Sequence, residues 1–508
     1  MDIVRRYWLY LVLLAALIPF LGKAYHIDDP VFIAIADQIR TTPLHPHDAT
    51  MHWGDRVRRI GEFSANPPLH GYFLALARAT GPDAEWWLHL WMLPVSLLGL
   101  YGALRLGRGD PLVGALWLSG PAVLVSATNL MPDIPAAALT ALGAALFLEE
   151  KYAWAGLALA LGGLERFNTA AALPGLAFYA VAKRRWRALP ALVLPCAAMA
   201  GWLVIQREAW GAIQSLGFDT TFLSQRALAS VVIVATAGVF PLLLVAVRWK
   251  PHEWITGLLA GGATALACWT PELKTYAAPR LPEAALAALG AFLLVAHLAR
   301  AIRVWVARRE PLDLALWGWV FGALLVPLFY IHVSAKYLSV AAAPLAWLGV
   351  RASVLPRRLA WVGVALWLGW SSALNVADFL LAGVHREMAR TLVRPRTKFV
   401  GSHGFQWYAE RAGGVPMGYD RPPAPGETVL LLEQAGAFQR SMVLSLIPAG
   451  QIRRVEMRSS PWPLRTFNFR ARASFYSYSY GPMPYAISSA PLEVATFVQV
   501  VHVGPGKP

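Results

Sequence analysis

The feature that most constrains this chain is a repeated alternation of long apolar runs with short basic clusters. The first run, YWLYLVLLAALIPFLG from Tyr7 to Gly22, holds no charged residue. A helix needs roughly 17–25 mostly apolar residues to cross a bilayer. By that measure spans are expected near 7–25, 86–106, 110–128, 132–150, 152–166, 168–183, 188–206, 227–247, 254–271, 283–301, 313–333, 337–351 and 358–378, thirteen in all. The pieces from 132 to 183 and the piece at 337–351 are the shortest. Only 15% of the residues are charged, against about 25% in a soluble domain, and the mean hydropathy is +0.47. The expected fold class is a polytopic α-helical membrane protein.

The net charge of +16 raises the question of nucleic acid. Its placement argues otherwise. The cations fall in alternate loops: Arg5/Arg6, Arg105/Arg108, Lys151, Lys183 to Arg187, Arg248/Lys250, Arg300 to Arg309 and Arg351 to Arg358. That is the positive-inside pattern, not a basic binding stripe. It predicts a cytoplasmic N-terminus and, with an odd number of spans, a C-terminus outside. The first run reads as a retained span, since two aspartates rather than a small-residue cleavage site follow it. Cys196 and Cys268 lie in apolar segments and read as small core residues.

Two regions do not read as spans. The loop 26–85 contains DPVFIAIADQIR and NPPLHGYFLALARAT, helical patterns too short to cross and suited to the interface. The tail 380–508 contains strand-like runs (ETVLLLE, EVATFVQVVHV), a PPAPGE turn cluster and a Ser/Tyr-rich piece, SFYSYSYGPMP. It reads as a small α/β domain outside the cytoplasm. The chain therefore divides into a membrane module, 1–379, and a tail domain.

Ionisable residues near membrane depth are costly and are functional candidates by default. Asp28 and Asp29 follow the first span, in AYHIDDPVF. Asp133 in NLMPDIPAA, Glu165 and Arg166 in GGLERFNTA, Lys274 in TPELKTY and Lys336 in HVSAKYLSV occupy other outer turns. A carboxylate there can take a proton from a hydroxyl or amine, and Arg or Lys can hold a departing phosphate. Each signal also has a plainer reading: a helix cap for the aspartates, snorkelling to lipid phosphate for the cations. The two readings of the first pair are compatible, with Asp29 beginning a helix and Asp28 facing a cavity. The histidines of LHPHD invite a metal site, but no His-x-x-x-His pair or cysteine supports it. No cofactor is expected, with a divalent metal the lesser alternative.

These motifs resemble the GT-C membrane glycosyltransferases, in particular the protein O-mannosyltransferase and aminoarabinose transferase superfamily. HIDDPVF resembles the Asp-Glu motif after the first span, with Asp in the second place. NPPLHGYFLAL resembles the Lys/His-Pro-Pro-Leu motif, with Asn66 at its head. MPDIPAAALTALGAALF and SAKYLSVAAAPLAWL resemble the second-acid and late Arg-Tyr-Leu segments, and HGFQWYAERAGGVP resembles part of the outer domain. The resemblance implies an inverting transfer of sugar from a polyprenyl-phosphate donor to a lipid, glycan or protein acceptor, at a bacterial inner membrane. It implies Asp28 as base, Asp29 as its partner, Asp133 as second acid, and Arg166 and Lys336 as phosphate ligands, with Lys274 a further candidate. His26, Asn66, His70, Glu165 and Tyr337 are the expected cavity residues. A transporter or flippase of a lipid-linked sugar, or a non-catalytic membrane interaction protein, is the alternative.

Overall fold

The computed structural model describes residues 2–64, 66–210, 222–238, 249–277, 280–329, 332–353, 355–447 and 449–502. The end of the expected span at 227–247, Arg248, residues 330–331 and the last six residues of the tail lie outside them. Among the described residues, four helices are long and apolar enough to cross a membrane: Glu85–Leu106, Trp186–Trp210, Leu281–Arg308 and Arg357–Leu392. A fifth candidate is bent by 65° where Pro111–Ser119 gives way to Pro121–Thr128. Proline at 121 lacks the amide that would continue the ladder, so the run 110–128 is not one straight rod. Shorter apolar helices follow the other runs, including Tyr7–Phe20, Asp133–Leu148, Phe167–Ala182, Leu223–Ala237 and Leu312–Leu328. The expected count of thirteen thus becomes a mixture of long, short and broken helices.

The helices meet through small residues, as membrane packing requires. A Cβ built on Gly290 would lie 1.9 Å from the Val231 carbonyl oxygen, so those two backbones touch. Outward faces carry leucines, among them Leu258, Leu259 and Leu266, which suit a lipid surround. Cys268 is buried, but Cys196 is exposed and is not the core residue expected.

The basic loops gather at one end of the bundle. Arg105 pairs with Glu149 at 2.6 Å, Arg185 with Glu150 at 2.9 Å, Lys183 with Glu310 at 3.3 Å and Arg351 with Asp313 at 2.7 Å. Arg357 pairs with Asp110 there too. Loops assigned to one side from their charge are therefore tied to one another.

At the other end, helix Arg357–Leu392 continues past the expected limit at 378. Its 36 residues would reach about 54 Å at 1.5 Å per residue, beyond a hydrocarbon core of about 30 Å. Its final turns lead to a five-stranded sheet in the order Val415–Pro416, Lys398–Val400, Thr428–Leu432, Glu493–His502, Ala449–Arg458. The first two pairings are parallel and the last two antiparallel. Helices His403–Arg411 and Arg440–Leu446 complete this unit. The Ser/Tyr-rich piece is bound to the membrane helices. The Ala335 amide donates to the Phe475 carbonyl (2.9 Å), and the Tyr478 amide to that of Val333 (2.8 Å). The Tyr485 hydroxyl donates to the Thr236 carbonyl (2.7 Å).

Candidate functional site

The chain leaves its first helix through a short turn and enters helix Asp29–Thr41. Just before that helix, Ile27 holds a φ of 47°. A β-branched residue in the left-handed region is strained, and such strain concentrates at functional sites. The twist separates the two aspartates. Asp29 is buried, and its carboxylate accepts amide hydrogens from His26 (2.8 Å) and Leu130 (2.9 Å). It fastens its own turn to the turn that leads into Asp133. Burial dominates its environment and, despite Lys23 and the two amides, raises its carboxyl to about 7. Asp28 stands at the N-cap position, yet its side chain caps nothing. Instead its Oδ2 meets Lys336 Nζ at 3.1 Å, and a third of the side chain remains exposed. Burial would raise the Asp28 carboxyl, but Lys336 first, then His403 and Arg166, hold it below the usual range.

Asp28 and Lys336 open onto a cavity of about 190 Å³. Tyr337, His332 and Ile27 also line it, together with Ser402, His403, Phe438, Gln439 and Phe467 of the tail. Trp53, Gly54, Tyr476 and Ser477 close the sides. Lys336 also lies 3.2 Å from Met131 Sδ and 4.0 Å from Asp133 Oδ2. Asp133 in turn holds Arg166 at 3.2 Å, and the Arg166 guanidinium lies over the Tyr337 ring at 4.6 Å. Two carboxylates and two cations from four separate turns thus form one alternating chain. Carboxylate, ammonium, hydroxyls and aromatic faces on one small cavity can bind a sugar phosphate and move a proton.

The other sequence candidates fall behind this wall. His70 is buried, with one ring nitrogen on the Leu130 carbonyl (3.0 Å) and the other 3.3 Å from Glu165. Those two join helix Leu69–Ala79 to the turn at Glu165. Asn66 bonds Ser64 Oγ at 3.1 Å. His26 is buried 3.4 Å from Asp378. None of these four lines the cavity; their polar contacts lie elsewhere in the protein. Lys274 is exposed and does not line it either. Of the LHPHD histidines, His45 is exposed, and His47 is buried against the rings of Trp202 and Trp210. Among the described residues, no group of three or more His, Cys, Asp or Glu side chains is placed to hold a metal ion.

No family profile matches the chain, and no curated protein matches it. Among solved structures it is similar to ArnT from Cupriavidus metallidurans bound to undecaprenyl phosphate, at 13% identity and a TM-score of 0.43, over 98% of this chain and 99% of that one. The apo state of the same protein gives 14% and 0.42, over 100% of both chains. The arabinofuranosyltransferase AftD from Mycobacteria gives 12% and 0.37, over 98% of this chain and 40% of that one.

Two parts of the site had no counterpart in the sequence reading. One is a hairpin, Thr50–Trp53 paired with Arg56–Arg59. Its turn places Gly54 at φ 71°, and the Gly54-Asp55 pair was a readable two-residue turn signal. The hairpin tip is held by the tail: Gln439 Nε2 donates to the Gly54 carbonyl (2.6 Å), and the Tyr419 amide to that of Asp55 (2.8 Å). The other is a sealed cluster at Lys23. Its ammonium donates to Asp378 Oδ2 (2.6 Å), Asn129 Oδ1 (2.7 Å) and Thr128 Oγ1 (3.2 Å). Asp378 also accepts from Tyr476 (2.6 Å) and Thr466 (2.7 Å) of the tail. A lysine at the end of an apolar run was the available signal.

Proposed function

We propose that the chain is an integral-membrane glycosyltransferase that moves a sugar from a polyprenyl-phosphate donor to an acceptor outside the cytoplasm. The observation that carries the reading is Asp28 on the wall of a cavity, ionised and 3.1 Å from Lys336. In this reading the donor phosphate takes Lys336 from Asp28, with Arg166 one residue further back. Asp28 then accepts the proton of the acceptor hydroxyl or amine as that atom attacks the anomeric carbon. The bond from that carbon to the phosphate oxygen breaks, and the oxygen leaves with the electron pair, its charge met by Lys336. A single displacement of this kind inverts the anomeric configuration. The aromatic faces of Trp53, Phe438 and Phe467 suit a sugar ring.

The basic end of the bundle is assigned to the cytoplasm, which puts the cavity and the tail outside. A transporter of the same lipid would place its ionisable groups near the bilayer midplane, whereas Asp28, Asp133, Arg166 and Lys336 stand in turns at helix ends. The test uses purified protein with a panel of radiolabelled polyprenyl-phosphate sugars, with and without native membrane extract. Asp28→Asn is expected to stay folded in the membrane and to lose about 10²–10⁴-fold in transfer. Full activity in that variant would overturn the assignment of the base.

A further inference from the structure

The cavity has two walls of different origin. Asp28, Lys336 and Tyr337 belong to turns of the helix bundle, whereas Ser402, His403, Phe438 and Gln439 belong to the tail unit. The tail residues of the lining carry polar atoms that have no hydrogen-bond partner in the protein. Both ring nitrogens of His403 are buried and without a hydrogen-bond partner, and so is Gln439 Oε1. Buried polar groups are nearly always paired, so unpaired ones on two residues that line the cavity point to partners that a ligand would bring.

The backbone presents this ring deliberately. His403 has a φ of 60°, a conformation that asparagine or glycine adopts more readily than histidine. The strain is fixed by the next residue. A Cβ on Gly404 would lie 1.9 Å from the Tyr25 carbonyl oxygen, so this helix start rests on the segment that leads into Asp28. The Tyr25 amide donates to the Tyr408 hydroxyl at 2.9 Å and holds the same contact. The imidazole sits edge-on to Phe438 and Phe467, at 5.7 and 5.8 Å. Burial outweighs the nearby Asp28 and lowers its pKa to about 4. The ring is therefore neutral near pH 7, with one donor and one acceptor nitrogen.

We propose that His403 is a substrate-contacting residue of the acceptor subsite, hydrogen-bonding a hydroxyl of the acceptor beside the one that gives its proton to Asp28. The proposal rests on the glycosyltransferase reading. A donor with a polyprenyl tail reaches the cavity from the helix bundle, where the phosphate-binding cations lie. The tail residues of the lining are then left for the acceptor, and their hydroxyl, amide and imidazole groups suit a polyhydroxylated one.

The test uses the full chain in lipid nanodiscs and two reactions of one labelled donor: transfer to acceptor in native membrane extract, and slow transfer to water without extract. His403→Asn and His403→Gly both tolerate the backbone, so the fold is kept and the ring removed. Each is expected to lower kcat/KM for the acceptor by about 10- to 100-fold, the range for leaving a buried partner unpaired. Donor KM and transfer to water stay within about twofold. Asp28→Asn loses both reactions. Unchanged transfer to acceptor in the His403 variants overturns the proposal, as does an equal loss of both reactions. Absence of transfer from every donor by the wild-type protein overturns the glycosyltransferase reading and the proposal with it.

Discussion

Two lysine–aspartate clusters sit side by side at one end of the bundle, and they differ in what they leave unused. In the sealed cluster, Lys23 and Asp378 are both fully buried. Three acceptors take the three ammonium protons, and Asp378 accepts from Tyr476 and Thr466 as well. In the open cluster, Lys336 is shared loosely between Asp28 at 3.1 Å, Met131 and Asp133 at 4.0 Å. Asp133 Oδ1 has no hydrogen-bond partner, and Asp28 reaches the cavity. Tyr476 belongs to both: its hydroxyl sits on Asp378, and its ring lies 5.7 Å from the Lys336 ammonium. A saturated network holds one arrangement, while a cluster with spare capacity can exchange partners. The same two residue types therefore serve as a fastener in one place and, in the proposed reaction, as base and phosphate ligand in the other.

The comparison breaks most visibly if the two lysines respond alike. Lys23→Met leaves the buried Asp378 without its ammonium partner, and is expected to cost about 3–5 kcal/mol of stability. A melting curve in detergent reads this loss, while turnover per folded molecule stays close to wild type. Stable protein without turnover would move Lys23 into the chemistry. Gly404→Ala forces a methyl group against the Tyr25 carbonyl and is expected to cost about 1–3 kcal/mol by overpacking. Limited proteolysis should show the tail loosened from the bundle before the helices are cut.

Lys336→Met sharpens the open cluster through pH. Lys336 is among the groups that hold the Asp28 carboxyl low, so its ion-pair stabilisation is present above the unfolded carboxyl pKa and is lost as pH falls through the lower folded value. Without the lysine that carboxyl titrates higher, and the acid limb of the residual pH–rate profile moves to higher pH. An unmoved limb would separate Asp28 from the titration. The smallest effect is expected for Lys274→Ala, within about 0.5 kcal/mol of stability and with donor KM unchanged. A raised donor KM would return Lys274 to the site.

Much of the helical framework was readable because a bilayer imposes a local rule. The run 86–106 became helix Glu85–Leu106, and the charge of the loops anticipated which of them would be tied together. The misreadings share a cause. The run 110–128 has the composition of one span, but Gly120-Pro121 bends it. The last span was ended where hydropathy falls, yet Asn375, Asp378 and His385 are buried and let the helix run on to Leu392. In the site, Asp28, Lys336 and Tyr337 were legible as outer-turn residues. His70 and Glu165 carried the same signal and turned out to bind each other. His403 heads the HGFQWYAERAGGVP segment but carried no signal of a site, since its place at the cavity depends on a tail some 370 residues from Asp28 folding back over it.

The sequence by itself determined the helices, the basic end of the bundle and the set of ionisable groups at the opposite end. These follow from short-range quantities: the cost of exposing polar groups to lipid, the reach of a helix and the charge of a loop. Only the tertiary structure decided which aspartate of the pair is sealed and which is open, and which lysine fastens and which faces the cavity. Saturation of a polar group depends on partners distant in the chain. Asp29 is satisfied by the Leu130 amide and Lys23 by Asp378, while Asp28 keeps an exposed face because the tail arches over it without filling the space.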